Sequence, residues 1–322
     1  MKVKGIHHVT AMTGDAAANF QFYTEVLGMR LVKKTVNQDD TTAYHLFYGD
    51  EKGNPGTELT FFDFPGVGPN VAGVSSISGT SLRVANDNAL PYWIERFKEL
   101  GVKHSPVEDF AGRKVIFFED PEGQQLAIVS DENNTGVKSG KPWEKSSVPV
   151  SYGITGLGPV KLTVRKPEST LAVLRLLGFT EKERIPAQAE GQEDIIVMQV
   201  GEGGSGAEVH VEPRSDLHVS SQGSGGVHHV AFRIEDKEEL LAWVEILNKA
   251  GLPNSGFVER FYFRSLYFRE PNGILFELAT DGPGFATDEP LETLGESLSL
   301  PPFLENQRVS IEANLKSLHT KR

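Results

Sequence analysis

The chain has 322 residues, 39% of them hydrophobic and 24% charged, with a formal net charge of −12 and no cysteine. A surface that acidic repels phosphate backbones and anionic lipid, which argues against nucleic acid and membranes as partners. The absence of cysteine rules out disulfides, thiolate nucleophiles, Cys-ligated zinc and iron–sulfur clusters, so any metal must be held by His, Asp or Glu.

The opening MKVKGIHHVT has no apolar leader and no 18-residue apolar run follows it. A cytoplasmic location is therefore the default expectation. One unit then recurs four times: a short alternating strand, an amphipathic helix, and apolar strands separated by Gly-rich turns. The first copy reads GIHHVTAMTGD, the helix AAANFQFYTEVLG with Gly28 as its C-terminal stop, and the strands MRLVKKTV, AYHLFYGD and TELTFFD. The second reads TSLRVAND, ALPYWIERFKELG and KVIFFEDPEGQQLAIVSD. After a polar, Gly- and Pro-containing linker over 131–150, the third reads GPVKLTVRKPE, STLAVLRLLGF, DIIVMQV and AEVHVEP. The fourth reads GVHHVAFRIED, KEELLAWVEILNKAG and SLYFREPNGILFELATD. In the turns EDPEGQQ and REPNGIL, Pro presets φ and Gly supplies the positive φ of a tight hairpin. The expected fold is α+β, with four βαβββ modules forming two paired-module, barrel-like domains. The sequence divides into a domain at 1–135, a domain at 150–283 and a tail at 284–322. That tail should hold a terminal helix lying on the body and no chemistry.

Two copies begin with a His pair at equivalent places: His8 lies seven residues before Asp15, and His229 seven before Asp236. Adjacent strand residues face opposite sides of a sheet. Val230, Phe232 and Ile234 form the face under the helix, which puts His229 on the concave side; the repeat places His8 and Thr10 there too. A lone His is usually a hydrogen-bonded core residue. Two pairs at matched repeat positions weaken that reading. Glu277 alternates with the apolar Phe276 and Leu278, and a carboxylate in a sheet core is costly unless it is paired or binds a cation. The bland alternative is an edge position paired with an Arg. The matching place in the second copy is Ala127, so the repeat itself does not demand a carboxylate there. Two imidazoles and one carboxylate make a facial set with open positions, suited to Fe(II) oxygen chemistry and also to Mn(II) or Zn(II) hydrolytic or isomerase chemistry. Tyr267 precedes Glu277 by ten residues on the paired strand and offers a phenol. Arg260 can hold an anionic oxygen. His210, in AEVHVEP, has no assigned counterpart and reads as structural.

Together, IHHVT, VHHVAF, the ExxxFxFRSLYFREPNG hairpin and the FEL carboxylate resemble the vicinal oxygen chelate superfamily, which includes glyoxalases, bleomycin resistance proteins and extradiol dioxygenases. Within it the chain looks most like hydroquinone-type ring-cleaving dioxygenases. The resemblance spans the whole chain and places the metal between the first and fourth modules. It implies metal ligands at His8, His229 and Glu277, and catalytic contributions from His7, Thr10, His228, Arg260 and Tyr267. It implies Fe(II), with Mn(II) or another divalent metal as the alternative. The activity it implies is an extradiol-like, hydroquinone-type dioxygenase of aromatic catabolism, with a small aromatic substrate and O2 as partners. A homodimer or larger homo-oligomer is compatible with it. Pro159 near the His position of the third copy does not fit the pattern in which the last two copies supply every ligand. Two rival readings are a glyoxalase-type lyase or isomerase and a metal-free protein that binds aromatic compounds or antibiotics. A strict pleat turns His7 and His228 away from the metal, so their participation requires a departure from regular strand geometry.

Overall fold

The computed structural model describes residues 1–187 and 190–321. The first module comprises β1 (Ile6–Thr13), α1 (Ala16–Gln21), β2 (Arg30–Val36), β3 (Tyr44–Gly49) and β4 (Glu58–Asp63). The second comprises β5 (Ser76–Val84), α2 (Ala89–Glu99), β6 (Glu108–Phe110), β7 (Arg113–Glu119) and β8 (Gln125–Ser130). The third comprises β9 (Ile154–Val164), α3 (Pro167–Leu176), β10 (Thr180–Ile185), β11 (Ile195–Gln199) and β12 (Glu208–Pro213). The fourth comprises β13 (Val227–Ile234), α4 (Lys237–Lys249), β14 (Val258–Glu259), β15 (Arg264–Arg269) and β16 (Leu275–Thr280), and α5 (Arg308–Asn314) lies in the tail.

The helices start where the sequence provides caps. Asp15 accepts hydrogen bonds from the Ala17 and Ala18 amides at the start of α1, and Asp236 accepts from the Glu239 amide at the start of α4. Leu240, Trp243 and Leu247 recur at helical spacing on α4 and are fully buried against the sheet. The first helix runs into a π-helical turn, Phe22–Val26, and stops at Gly28 with φ +69°. The two matched hairpins use Gly123 and Gly273 at φ +84° and +93°.

Each module's first strand pairs in parallel with its last, as β1 does with β4 and β13 with β16. The first strands of two modules then meet antiparallel, β1 with β13 and β5 with β9. Two curled eight-stranded sheets result, ordered β14-β15-β16-β13-β1-β4-β3-β2 and β10-β11-β12-β9-β5-β8-β7-β6. This is the α+β, four-module architecture that the repeat implies. The modules pair first with fourth and second with third, so the stretches 1–135 and 150–283 are divisions of sequence and each sheet draws one module from either half.

Most buried apolar residues form one cluster, which includes the helix-facing sides of both sheets. A smaller one combines Val32, Phe47, Ala231 and Ala279, strand residues of the first sheet, with Tyr262, Phe263, Phe285 and Leu294 from the segments that cover them. The 131–150 linker has no regular element before the 3-10 turn Val150–Tyr152 but is held down, with Arg83 Nε donating to Asp131 at 2.6 Å. The tail helix is only seven residues long; Leu304 and Ile311 pack on Val36 while Phe303 and Val309 are exposed. Asp288 of the tail accepts from Lys33 at 2.7 Å and from the Tyr262 hydroxyl at 2.8 Å, so the tail braces the first sheet. Among the described residues no helix is long and apolar enough to cross a membrane.

Candidate metal centre

β1, β13 and β16 lie side by side and carry His8, His229 and Glu277. Regular alternation would put neighbouring rings on opposite faces, but the register between β1 and β13 slips at both His pairs. Ile6 faces Phe232 and His8 faces Ala231, so His7 is an extra residue in β1. Thr10 faces His229 and Ala11 faces Val227, so His228 is the extra residue in β13. Each His pair is therefore a β-bulge, which breaks the pleat and re-aims its side chains.

His8 Nε2 lies 3.1 Å from Glu277 Oε2, His229 Nε2 lies 2.9 Å from the same oxygen, and the two nitrogens are 3.3 Å apart. Two donors about 2.1 Å from one ion and at right angles to each other would stand about 3.0 Å apart, so the spacing suits a facial set of three. Glu277 is fully buried. Its Oε1 accepts from Ser265 Oγ at 2.5 Å, while Oε2 has no hydrogen-bond partner. Among the described residues no Arg is paired with it, which removes the bland reading of this carboxylate.

The outer rings fix the inner ones. His7 Nε2 donates to the Thr280 carbonyl at 3.0 Å. Burial lowers His7 to about 3, so its ring is neutral and its Nδ1 accepts from His8 Nδ1–H at 3.0 Å. That assignment, inferred from the network, leaves a lone pair on His8 Nε2. Burial lowers His228 to about 3 as well; its Nδ1 lies 2.8 Å from His229 Nδ1, and the same assignment leaves a lone pair on His229 Nε2. Burial opposes ionisation of Glu277, and His8 and His229 favour it only when a positive charge sits on or between their rings. Three electron-rich atoms thus converge in a dry site, which is costly without a cation between them. The residues present fit a divalent metal. A second grouping, His7, His8 and Glu58, fits less well. His7 Nδ1 is already engaged by His8, and burial raises Glu58 well above the carboxylate range, which keeps it neutral.

The space lined by His8 and His229 is about 40 Å³ in this conformation. Tyr267 stands opposite Glu277 in the β15–β16 register, and its hydroxyl accepts from Arg260 Nε at 3.2 Å. Arg260 is held in turn by Asp39, at 3.1 and 2.8 Å. Burial raises Tyr267, which keeps its phenol protonated. Arg260 and Tyr267 line the pocket with His8 and His229, whereas His7, Thr10 and His228 do not. Thr10 instead bonds Thr60 at 2.8 Å, and Thr60 bonds His45 Nε2 at 2.9 Å. His45, Asp39 and Ser265 were not singled out from the sequence. His45 had a readable signal: Tyr44, Leu46 and Tyr48 join the helix-side core, which leaves His45 and Phe47 facing the other way. Burial holds His45 well below the usual imidazole range, so it is neutral.

The chain is matched by the family model of the glyoxalase/bleomycin resistance protein/dioxygenase superfamily over residues 5–128 and 156–278. It belongs to that superfamily. It is 54% identical to "Putative ring-cleaving dioxygenase MhqA" of Bacillus subtilis (strain 168), covering 99% of this chain and 100% of that protein. It is 29% identical to "Chlorohydroquinone/hydroquinone 1,2-dioxygenase" of Sphingobium indicum, covering 94% of this chain and 93% of that protein. A crystal structure of a Bacillus subtilis protein described as a putative dioxygenase superposes with a TM-score of 0.89 at 35% identity, over 100% of this chain and 99% of that one. Glyoxalase I from Zea mays shares the fold, with a TM-score of 0.64 at 17% identity over 86% of this chain and 92% of that one.

Proposed function

We propose that this protein is a ring-cleaving dioxygenase that opens a substituted hydroquinone with O2, using Fe(II), or alternatively Mn(II), held by His8, His229 and Glu277. One observation carries the reading: two Nε2 atoms and one Oε2 within 3.3 Å of one another, the oxygen buried and without a hydrogen-bond donor. The full-length relatives named for ring cleavage support it. When bound, such a metal acidifies a coordinated hydroxyl and offers open positions for substrate and O2.

The chain's own residues do the rest. Glu277 balances the charge of the ion, and Ser265 orients it. His7 and His228 do not line this pocket; they act as positioning residues that set the tautomers of His8 and His229. Arg260, clamped by Asp39, presents a fixed positive charge to an anionic oxygen, and Tyr267 supplies a neutral phenol that can donate a proton. A hydroquinone has its hydroxyls at opposite ends of the ring and offers the metal only one oxygen. Its far side must be held by stacking, for which Phe62 and Phe263 line the pocket. With no adjacent hydroxyls in a 1,4-diol, an extradiol label does not describe the bond that breaks; the bond lies beside a single hydroxylated carbon. The pocket is far smaller than the roughly 300 Å³ of ordinary ligand sites, so a lining side chain must move for a ring to enter.

A glyoxalase-type chemistry with two glutamates is less well supported. The first-module place that matches Glu277 in strand register is Thr60. The deciding experiment is anaerobic Fe(II) reconstitution followed by O2 uptake with methyl- and chlorohydroquinone against catechol. Hydroquinones should have the higher kcat/KM. A preference for catechol would remove the hydroquinone assignment, and protein that retains no metal and consumes no O2 would point to a binding protein.

A further inference from the structure

The two sheets are built on one register, so each metal-site position has a counterpart in the second sheet. Parallel pairing matches Ala231 to Glu277, Thr10 to Thr60, Ser81 to Ala127 and Lys161 to His210. Counting back two residues on each first strand, His8 and His229 correspond to Gly79 and Pro159. Glu277 corresponds to Ala127 on β8 and to His210 on β12, which gives His210 the counterpart that its sequence did not reveal. The β7–β8 pairing sets Phe117 opposite Ala127, where β15–β16 sets Tyr267 opposite Glu277. Seven residues earlier, Phe110 takes the place of Arg260.

Both bulges persist, since the β5–β9 register slips between Ile77 and Gly79 and again between Thr80 and Leu82. The second sheet therefore has the backbone of the metal site without its three donors: Gly79 and Pro159 stand in the places of the two histidines, and Ala127 and His210 in the place of the glutamate. Small side chains leave space there. A cavity of about 440 Å³ opens on this face, against about 40 Å³ beside His8 and His229 in the first sheet, and Gly79, Ala127, Pro159 and His210 all line it.

We propose that this cavity is a second, non-catalytic binding chamber for a small uncharged phenol. Its volume falls within the range of ordinary ligand pockets, ~300–1,000 Å³. Phe110 and Phe117 meet edge to face at 5.7 Å, and the His210 ring lies 5.8 Å from Phe110, which makes an aromatic wall with a polar end. Phe117 is 37% exposed and lines the cavity. The lining cations carry no spare charge for an anion. Arg113 holds Glu208 through two 2.8 Å bonds, Arg214 holds Asp216 at 2.8 Å, and Lys161 stands 3.6 Å from Glu212. A neutral ring with a hydroxyl toward His210 suits this lining better than a carboxylate or a phosphate does.

The test uses 4-fluorophenol, which has one hydroxyl, followed by 19F NMR and equilibrium dialysis on the full chain. The binding measurements do not depend on the dioxygenase reading; only the O2-uptake control does. Wild type should bind the probe saturably, and Glu277→Ala should retain that binding. Ala127→Trp, which fills the chamber, should weaken it at least tenfold while iron content and substrate-saturated O2 uptake stay within twofold. If Ala127→Trp does not fold, Phe117→Glu at its partly exposed position should weaken binding in the same way. Loss of the bound signal in Glu277→Ala, or undiminished binding in both chamber variants, would overturn the proposal.

Discussion

Replacing Glu277 by Gln preserves the shape of the fully buried side chain and removes its charge. In metal-free protein this relieves a buried anion, so the variant should melt no lower than wild type. The metal-linked stability should behave oppositely. A metal present at a thousand times its Kd stabilises the folded state by about 4 kcal/mol. For 322 residues, an unfolding entropy of about 2.1 cal/mol/K per residue sums to about 0.7 kcal/mol/K, so that gain is a rise of about 6 °C. If losing the charged donor weakens binding about a hundredfold, the same metal concentration stands at about ten Kd and the gain shrinks to about 1.4 kcal/mol, or about 2 °C. Calorimetry of chelator-treated protein with and without Mn(II), which avoids oxidation during the scan, reads both numbers. Equal Mn(II)-induced shifts in wild type and the Gln variant would refute the assignment of Glu277 as a ligand.

Ser265→Ala removes the hydrogen bond that orients Glu277 Oε1; metal affinity measured by competition with a chelating dye should fall about 10- to 100-fold, with the turnover rate per bound metal little changed. Tyr267→Phe should keep its metal, because the phenol is no ligand, and should lower kcat on hydroquinones about 100-fold; wild-type turnover in that variant would exclude Tyr267 as a proton donor. Burial raises Asp120 to about 6 from the usual 3.8, a difference worth about 3 kcal/mol. Because the folded value is the higher one, this stabilisation is present below about pH 4 and is lost as pH rises through 6. The melting temperature of wild type relative to Asp120→Asn should therefore decline from pH 4.5 to 7, and a pH-independent difference would refute that account.

Local chemistry was legible in the sequence. Hydrophobic period, Asp caps and Pro–Gly turns mark strands, helices and hairpins through interactions a few residues long, so the four modules can be read directly. The matched His pairs and a Glu within an apolar strand stand out because their burial would be costly without a shared partner. The tertiary structure decided what depends on pairing between distant segments. Antiparallel contact of β1 with β13, more than 200 residues apart, joins the first module to the fourth and brings Glu277 within 3.1 Å of His8. That contact also creates the two bulges. A bulge is a mismatch between two strands, so neither IHHVT nor VHHVAF contains it alone, and simple alternation sends His7 and His228 the wrong way. The same logic hid His210. Its place opposite Lys161 is defined by the β9–β12 register, and it acquires a relation to Glu277 only once the two sheets can be laid over each other.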